Sequence, residues 1–119
     1  MMTYPKINIG CVANLYSRMM HFENAGDIEK GHTHPFDHLT LLATGSLKII
    51  VDGQETIFKA PHMIYIHKDK KHELVALENN TVAYCIHALR DGNGVEDILD
   101  PSMIPKGIKA HYVAKPVVN

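Results

Sequence analysis

Three histidines, His32, His34 and His38, fall within seven positions, and a fourth, His72, heads a later apolar run. Side chains two residues apart on an extended strand leave the same face. His32 and His34 can therefore reach one metal ion, whereas helical neighbours stand three or four apart. Pro35, Phe36 and Asp37 interrupt that strand, and His38 opens the next, where a neighbouring strand can return it to the first pair. Neutral imidazole is a ready ligand for transition metals. The expected cofactor is one divalent transition metal ion (Fe, Mn, Ni, Cu or Zn) held by His32, His34, His38 and His72. Ligands gathered on one side of such an ion leave adjacent positions open to solvent, substrate or dioxygen. With four neutral donors the ion keeps a formal charge of about +2, which favours anionic oxygen chelates such as enolates and carboxylates. A single strand histidine is ordinarily a surface or hydrogen-bonded core residue, and His21, His62, His67 and His111 are read that way. Agreement of spacing and parity across three stretches of chain sets the other four apart.

The elements that must position these imidazoles are strands. Short runs of alternating apolar and polar residues, separated by turn chemistry, predict strands at Leu15 to Glu23, Ile28 to His34, His38 to Ala43, Ser46 to Val51, Gln54 to Ala60, Met63 to His67, His72 to Glu78 and Thr81 to Leu89. No helical period competes, apart from one possible turn at Val95 to Leu99. Asp52-Gly53 is the strongest hairpin signal, because both residues tolerate the positive φ of a two-residue turn. Thr44-Gly45 and Asn79-Asn80 are read as tight turns by the same rule. The second of these would pair Leu74 with Cys85 and His72 with His87, with Cβ atoms about 4.5 to 5.5 Å apart. His87 is then the candidate acid/base catalyst beside the metal. The same counting puts Thr40, Leu42, Leu47, Ile49, Val51, Thr56 and Phe58 on the face of His38 as an apolar cup. Leu39, Leu41, Ile50 and Ile57 fall on the other face, which is too aliphatic for open water and should be covered by the N-terminal strand, a second subunit, or both.

The histidine spacing resembles the first motif of the cupin family. Gly26 is followed after five residues by His32, after one by His34, after three by His38, and after six by Gly45. The family's usual Glu is here His38. The second motif aligns only in register: Pro61, His67 and Asp69 replace its Gly, Pro and Gly, and His72 holds the ligand position. The resemblance implies an all-β fold, a small antiparallel β-barrel or double-stranded β-helix of jelly-roll type. The single domain, 1–119, would comprise an N-terminal arm 1–14, a barrel core at about 15–90, and a C-terminal loop with an edge strand in 91–119. It also implies a homodimer that exchanges the N-terminal strand. The function expected is that of a metal-dependent enzyme on a small anionic or enolisable substrate, an oxygenase or dioxygenase. A non-redox isomerase or lyase and a non-catalytic binding protein are the alternatives, since a fold alone does not set an activity.

Whole-chain properties bound the rest. One domain and one core fit 119 residues, and 45% hydrophobic with 21% charged residues is ordinary globular composition. A net charge of -1 lacks the basic excess of a nucleic-acid binder. Cys11 and Cys85 have no disulfide-framework or zinc-ribbon spacing, and Cys85 reads as a small buried residue rather than a nucleophile. No apolar run reaches signal or membrane length, so a soluble, cytoplasmic protein with no membrane partner is expected. Lys68 to Lys71 is a charge run beside His72 that reads as a solvated loop, with steering of anions to the mouth as the functional alternative.

Overall fold

In the stretch Leu15–Phe22 the buried side chains are Tyr16, Arg18, Met20 and Phe22, every second residue. That period of two makes a strand with one face turned to a core. The described residues form nine strands: β1 Lys6–Val12, β2 Leu15–Phe22, β3 Ile28–His32, β4 His38–Thr44, β5 Ser46–Val51, β6 Gln54–Lys59, β7 His62–Ile66, β8 His72–Ala76 and β9 Thr81–Ala88; β8 repeats the alternation, whereas β6 is exposed along most of its length. The structure is a computed structural model that describes residues 2–12, 15–32, 38–67 and 70–88, with the backbone alone for residues 11, 12, 31, 32, 38 and 88. The expected turn at Val95 to Leu99 and the C-terminal edge strand lie outside the described residues, as does His34. Among the described residues no helix is long and apolar enough to cross a membrane.

The strands form two antiparallel sheets, one in the order β1-β2-β9-β4-β7 and the other in the order β3-β8-β5-β6. Ile7, Phe22, Leu42, Leu47, Leu74 and Ala83 are among the side chains buried between them. This is the all-β, double-stranded arrangement expected, with two facing sheets rather than a closed hydrogen-bonded barrel. The Asp52-Gly53 hairpin is present: Val51 pairs with Gln54, and both turn residues have positive φ, 50° and 80°, as a primed turn requires.

Two other turn expectations are corrected. Thr44-Gly45 and Asn79-Asn80 do not close hairpins, because β4 and β5 lie in different sheets, as do β8 and β9. Each turn carries the chain across the core. The two crossings pack against one another: Thr44 Oγ1 donates to the Asn80 carbonyl at 2.8 Å, Leu77 N donates to the Ser46 carbonyl at 2.9 Å, and the Ser46 hydroxyl bonds to the Glu78 carboxylate. His72 therefore does not face His87. It stands opposite His32 on one side and Val51 on the other, while His87 stands opposite Tyr16. Counting from a turn gives the right face but the wrong neighbour, since alternation survives a crossing and pairing does not.

The N-terminal residues read as an irregular arm with a short strand around Ile7 to Ile9; that strand is present and runs longer, over Lys6–Val12. β1 pairs with β2 over all seven of its residues and buries Ile7 and Ile9 in the core, so it extends one sheet edge instead of covering an outer face. Before it, the Thr3 carbonyl accepts from Ile28 N at 2.9 Å and the Thr3 hydroxyl bonds to buried Asp27. The chain start thus ties one sheet to the β3 edge of the other. Ile57 on β6 and Met63 on β7 remain about two-thirds exposed, at 67% and 68%.

Gly45 has φ of +80°, and a Cβ there would meet the Thr81 side chain and lie 2.8 Å from Thr81 Cα. Gly53 has the same φ with nothing within 4 Å. Gly45→Ala combines left-handed strain with overpacking and is expected to cost about 2–4 kcal/mol, against about 1 kcal/mol for Gly53→Ala. Urea denaturation of the two variants measures the difference.

Candidate functional site

The site begins at an irregularity in β3. Glu29 pairs with Leu74, and uninterrupted pairing would bring Gly31 opposite His72; a register shift between Glu29 and His32 places His32 there instead. A bulge of this kind re-aims a strand at the cost of one unpaired residue. His72 lies on the buried side of β8 with Leu74 and Ala76 and is 4% exposed. Its Nδ1 lies 3.1 Å from the Lys70 carbonyl. A carbonyl only accepts, so Nδ1 carries the hydrogen and the lone pair sits on Nε2. Such a backbone bond commonly orients a metal-binding imidazole. Burial holds the His72 pKa below its ordinary value; the Lys70 hydrogen bond opposes this and the nearby Arg18 charge adds to it. The neutral, ligating form is the favoured one.

Of the other proposed ligands, His32 and His38 are placed by backbone only, and His34 lies outside the described residues. His32 ends β3 beside β8, and His38 opens β4 opposite Ile66. Among the described residues no group of three His, Cys, Asp or Glu side chains is arranged to hold a metal ion; the side chains of His32, His34 and His38 lie outside that set. His87, on β9, is half-buried and shares the parity of Cys85 and Ala83, which belong to the core. It shares the inward parity of β9 but does not pair with His72. His21 Nε2 lies 3.3 Å from Asn80 Oδ1, His62 packs on Phe58, and His67 meets Tyr65 edge-on. His111 lies outside the described residues.

The sequence reading missed a charged pair inside the cup. Arg18 is 3% and Glu29 4% exposed, and Arg18 Nη2 donates to Glu29 Oε1 at 2.8 Å. Arg18 Nε and Glu29 Oε2 are buried with no hydrogen-bond partner among the described residues. Burial pushes the Glu29 carboxyl above its ordinary value, against the opposing pull of Arg18. Withdrawing two charges from water costs several kcal/mol per ion, more than one buried aliphatic side chain contributes at about 1.5–3 kcal/mol. Arg18 pairs in register with Cys85, whose sulfur lies 3.5 Å from Thr40 Oγ1. Burial raises the Cys85 thiol pKa, which Thr40 and Arg18 counteract and Glu29 reinforces; this favours the protonated thiol over the nucleophilic thiolate. The signal for Arg18 was present in the alternation Tyr16, Arg18, Met20, Phe22, which puts an arginine on the apolar parity.

Next to His72, between the β5-β6 hairpin and β7, lies a cavity of about 320 Å³. Ile49, Val51, Phe58, Ile64 and Ile66 line it, together with Gln54, Thr56, Tyr65, His67 and the charged Asp52 and Lys70. Val51 is the cross-strand partner of His72, so the cavity and the candidate ligand share a wall.

Removing Arg18 leaves a buried carboxylate without its counter-charge, and breaking such a pair costs about 3–5 kcal/mol. Because burial already holds the folded Glu29 carboxyl above its ordinary value, loss of the arginine raises it further. A raised carboxyl pKa stabilises the fold in full below the unfolded value and loses that contribution as pH rises. The Arg18→Met defect is therefore expected to be small near pH 4 and to grow toward neutrality. Denaturation curves across pH 4–8 measure it, with Arg18→Met/Glu29→Leu expected to recover most of the loss.

No family model and no curated protein matches the chain. Solved structures do. KdgF from a Halomonas species aligns with a TM-score of 0.60 at 18% identity, over 74% of this chain and 78% of its own. A cupin-2 domain protein from Shewanella frigidimarina aligns at 0.57 and 20%, over 74% and 82%. An RmlC-like cupin with a double-stranded β-helix fold, from Methanocaldococcus jannaschii, aligns at 0.60 and 10%, over 71% and 82%. Likeness at these identities is likeness of fold, and it agrees with the sheet order and the inward face described above: the chain has the cupin fold.

Proposed function

We propose that the protein is a metal-dependent enzyme of the oxygenase class acting on a small anionic or enolisable molecule. The observation that carries this reading is His72: buried on the inner face, neutral, held by the Lys70 carbonyl with Nε2 as its lone-pair nitrogen, and opposite His32 across a bulge. His32, His34, His38 and His72 would hold one divalent transition ion, which supplies Lewis acidity and, for a redox metal, electrons to dioxygen. The chain itself supplies three things. The apolar walls exclude water from the inner face. Four neutral donors leave the centre cationic, selecting anions. His87, on the inner parity of β9, carries a proton to or from the bound molecule. Exposed Ile57, Met63 and Tyr65 support a homodimer, for which light scattering is expected to give twice the chain mass of 13.3 kDa.

Protein purified without chelator or nickel resin is expected to carry about one divalent ion per chain by elemental analysis. His34→Ala and His72→Ala should each lose most of it. Retention of the ion in both variants would contradict the reading. With metal-loaded protein, dioxygen uptake on a panel of 1,3-diketones and 2-oxo acids is the expected activity; turnover without uptake would assign the centre to Lewis-acid chemistry instead.

A further inference from the structure

We infer that the cavity between the β5-β6 hairpin and β7 is the compartment for an apolar body that carries a carboxylate, with Lys70 as the residue that selects the anionic end. The inference deepens the proposed function and rests on it for one point only, the preference of a cationic centre for anions. Everything else comes from the cavity itself.

The cavity of about 320 Å³ is worth about ten water volumes at roughly 30 Å³ each, at the small end of ligand sites, which begin near 300 Å³. Ile49, Val51, Phe58, Ile64 and Ile66 line it together with the polar Gln54, Thr56, Tyr65 and His67; most of the lining surface is apolar, so a fully polar molecule would lose hydrogen bonds to water against those walls. A phenyl ring or a branched chain would not. Lys70 and Asp52 are the two formally charged groups on the described lining. They pair at 3.1 Å with both side chains more than half exposed, and exposed pairs of this kind are weak. A ligand carboxylate can take the place of the Asp52 carboxylate on Lys70 Nζ without leaving a buried charge behind. Lys70 is also the residue whose carbonyl accepts from His72 Nδ1, so the anion-selecting residue and the candidate metal ligand are joined within three positions of chain. Thr56, on the cavity wall and paired with Ile49, is the place where a larger side chain would fill the space.

Three probes with the same body test the inference by calorimetry on metal-free protein: 3-phenylpropanoate, 3-phenylpropan-1-ol and 3-phenylpropylamine. The acid is expected to bind at least tenfold more tightly than the alcohol, and the amine weakest. Lys70→Gln should bring acid and alcohol to within about twofold. Asp52→Asn, a change the positive φ at that position tolerates, should tighten the acid several-fold and leave the alcohol unchanged. Thr56→Trp should weaken all three more than tenfold while metal content after loading stays as in the parent. Preference for the amine, no detectable binding of the acid, or binding indifferent to Thr56→Trp would each overturn the inference. Loss of metal binding with the probe series intact would overturn the proposed metal centre and leave the cavity assignment standing.

Discussion

Two crossings of the core, at Gly45 and at residues 77–80, lie against each other, and the rest of the molecule is arranged by that contact. Gly45 is close to Thr81 because it has no side chain, and Thr81 Oγ1 donates to the Glu78 carbonyl at 2.9 Å. Once the point of crossing is set, the pleat decides everything downstream, since successive side chains must alternate. Ala76, Leu74 and His72 turn inward on one strand; Ala83 follows from Thr81 on the other. A polar residue at one of these positions is thereby committed to the interior.

Few polar residues are so placed, and they gain strength from the place. In an interior of low effective dielectric, hydrogen bonds and charges act over longer distances than in water. One backbone carbonyl is enough to orient the His72 ring. One guanidinium influences Glu29, Cys85 and His72 together. The same environment makes the partnerless atoms of Arg18 and Glu29 costly, which is why such a pair is poor evidence for stability and better evidence of a tuned interior.

The outside of the cup follows different constraints. β6 and β7 are edge strands of their sheets, and residues of both line the cavity. Edge strands tend to be blunted by charge, as Glu55 and Lys59 do on β6, where Glu55 also pairs with Lys48. A cavity bounded by two edge strands can admit a small molecule without separating hydrogen-bonded strands; at the other edges, the residues before β1 are tied to β3 by the Thr3 carbonyl.

Local chemistry was enough to indicate β2 to β9, the Asp52-Gly53 hairpin and the inward parity of most of them, because alternation and positive-φ turn residues are properties of neighbours in the chain; the full length of β1 was not legible in this way. The motif from Gly26 to Gly45 was legible for the same reason, being a matter of spacing. Which strand lies beside which was decided only in three dimensions. Asn79-Asn80 has the composition of a hairpin turn, yet burial of both strands' apolar faces is satisfied better by crossing to the opposite sheet. The shift in β3 that brings His32 opposite His72, and the meeting of Arg18 with Glu29, likewise depend on partners far away in sequence. Periodicity names the face a side chain takes, and only packing names what it meets there.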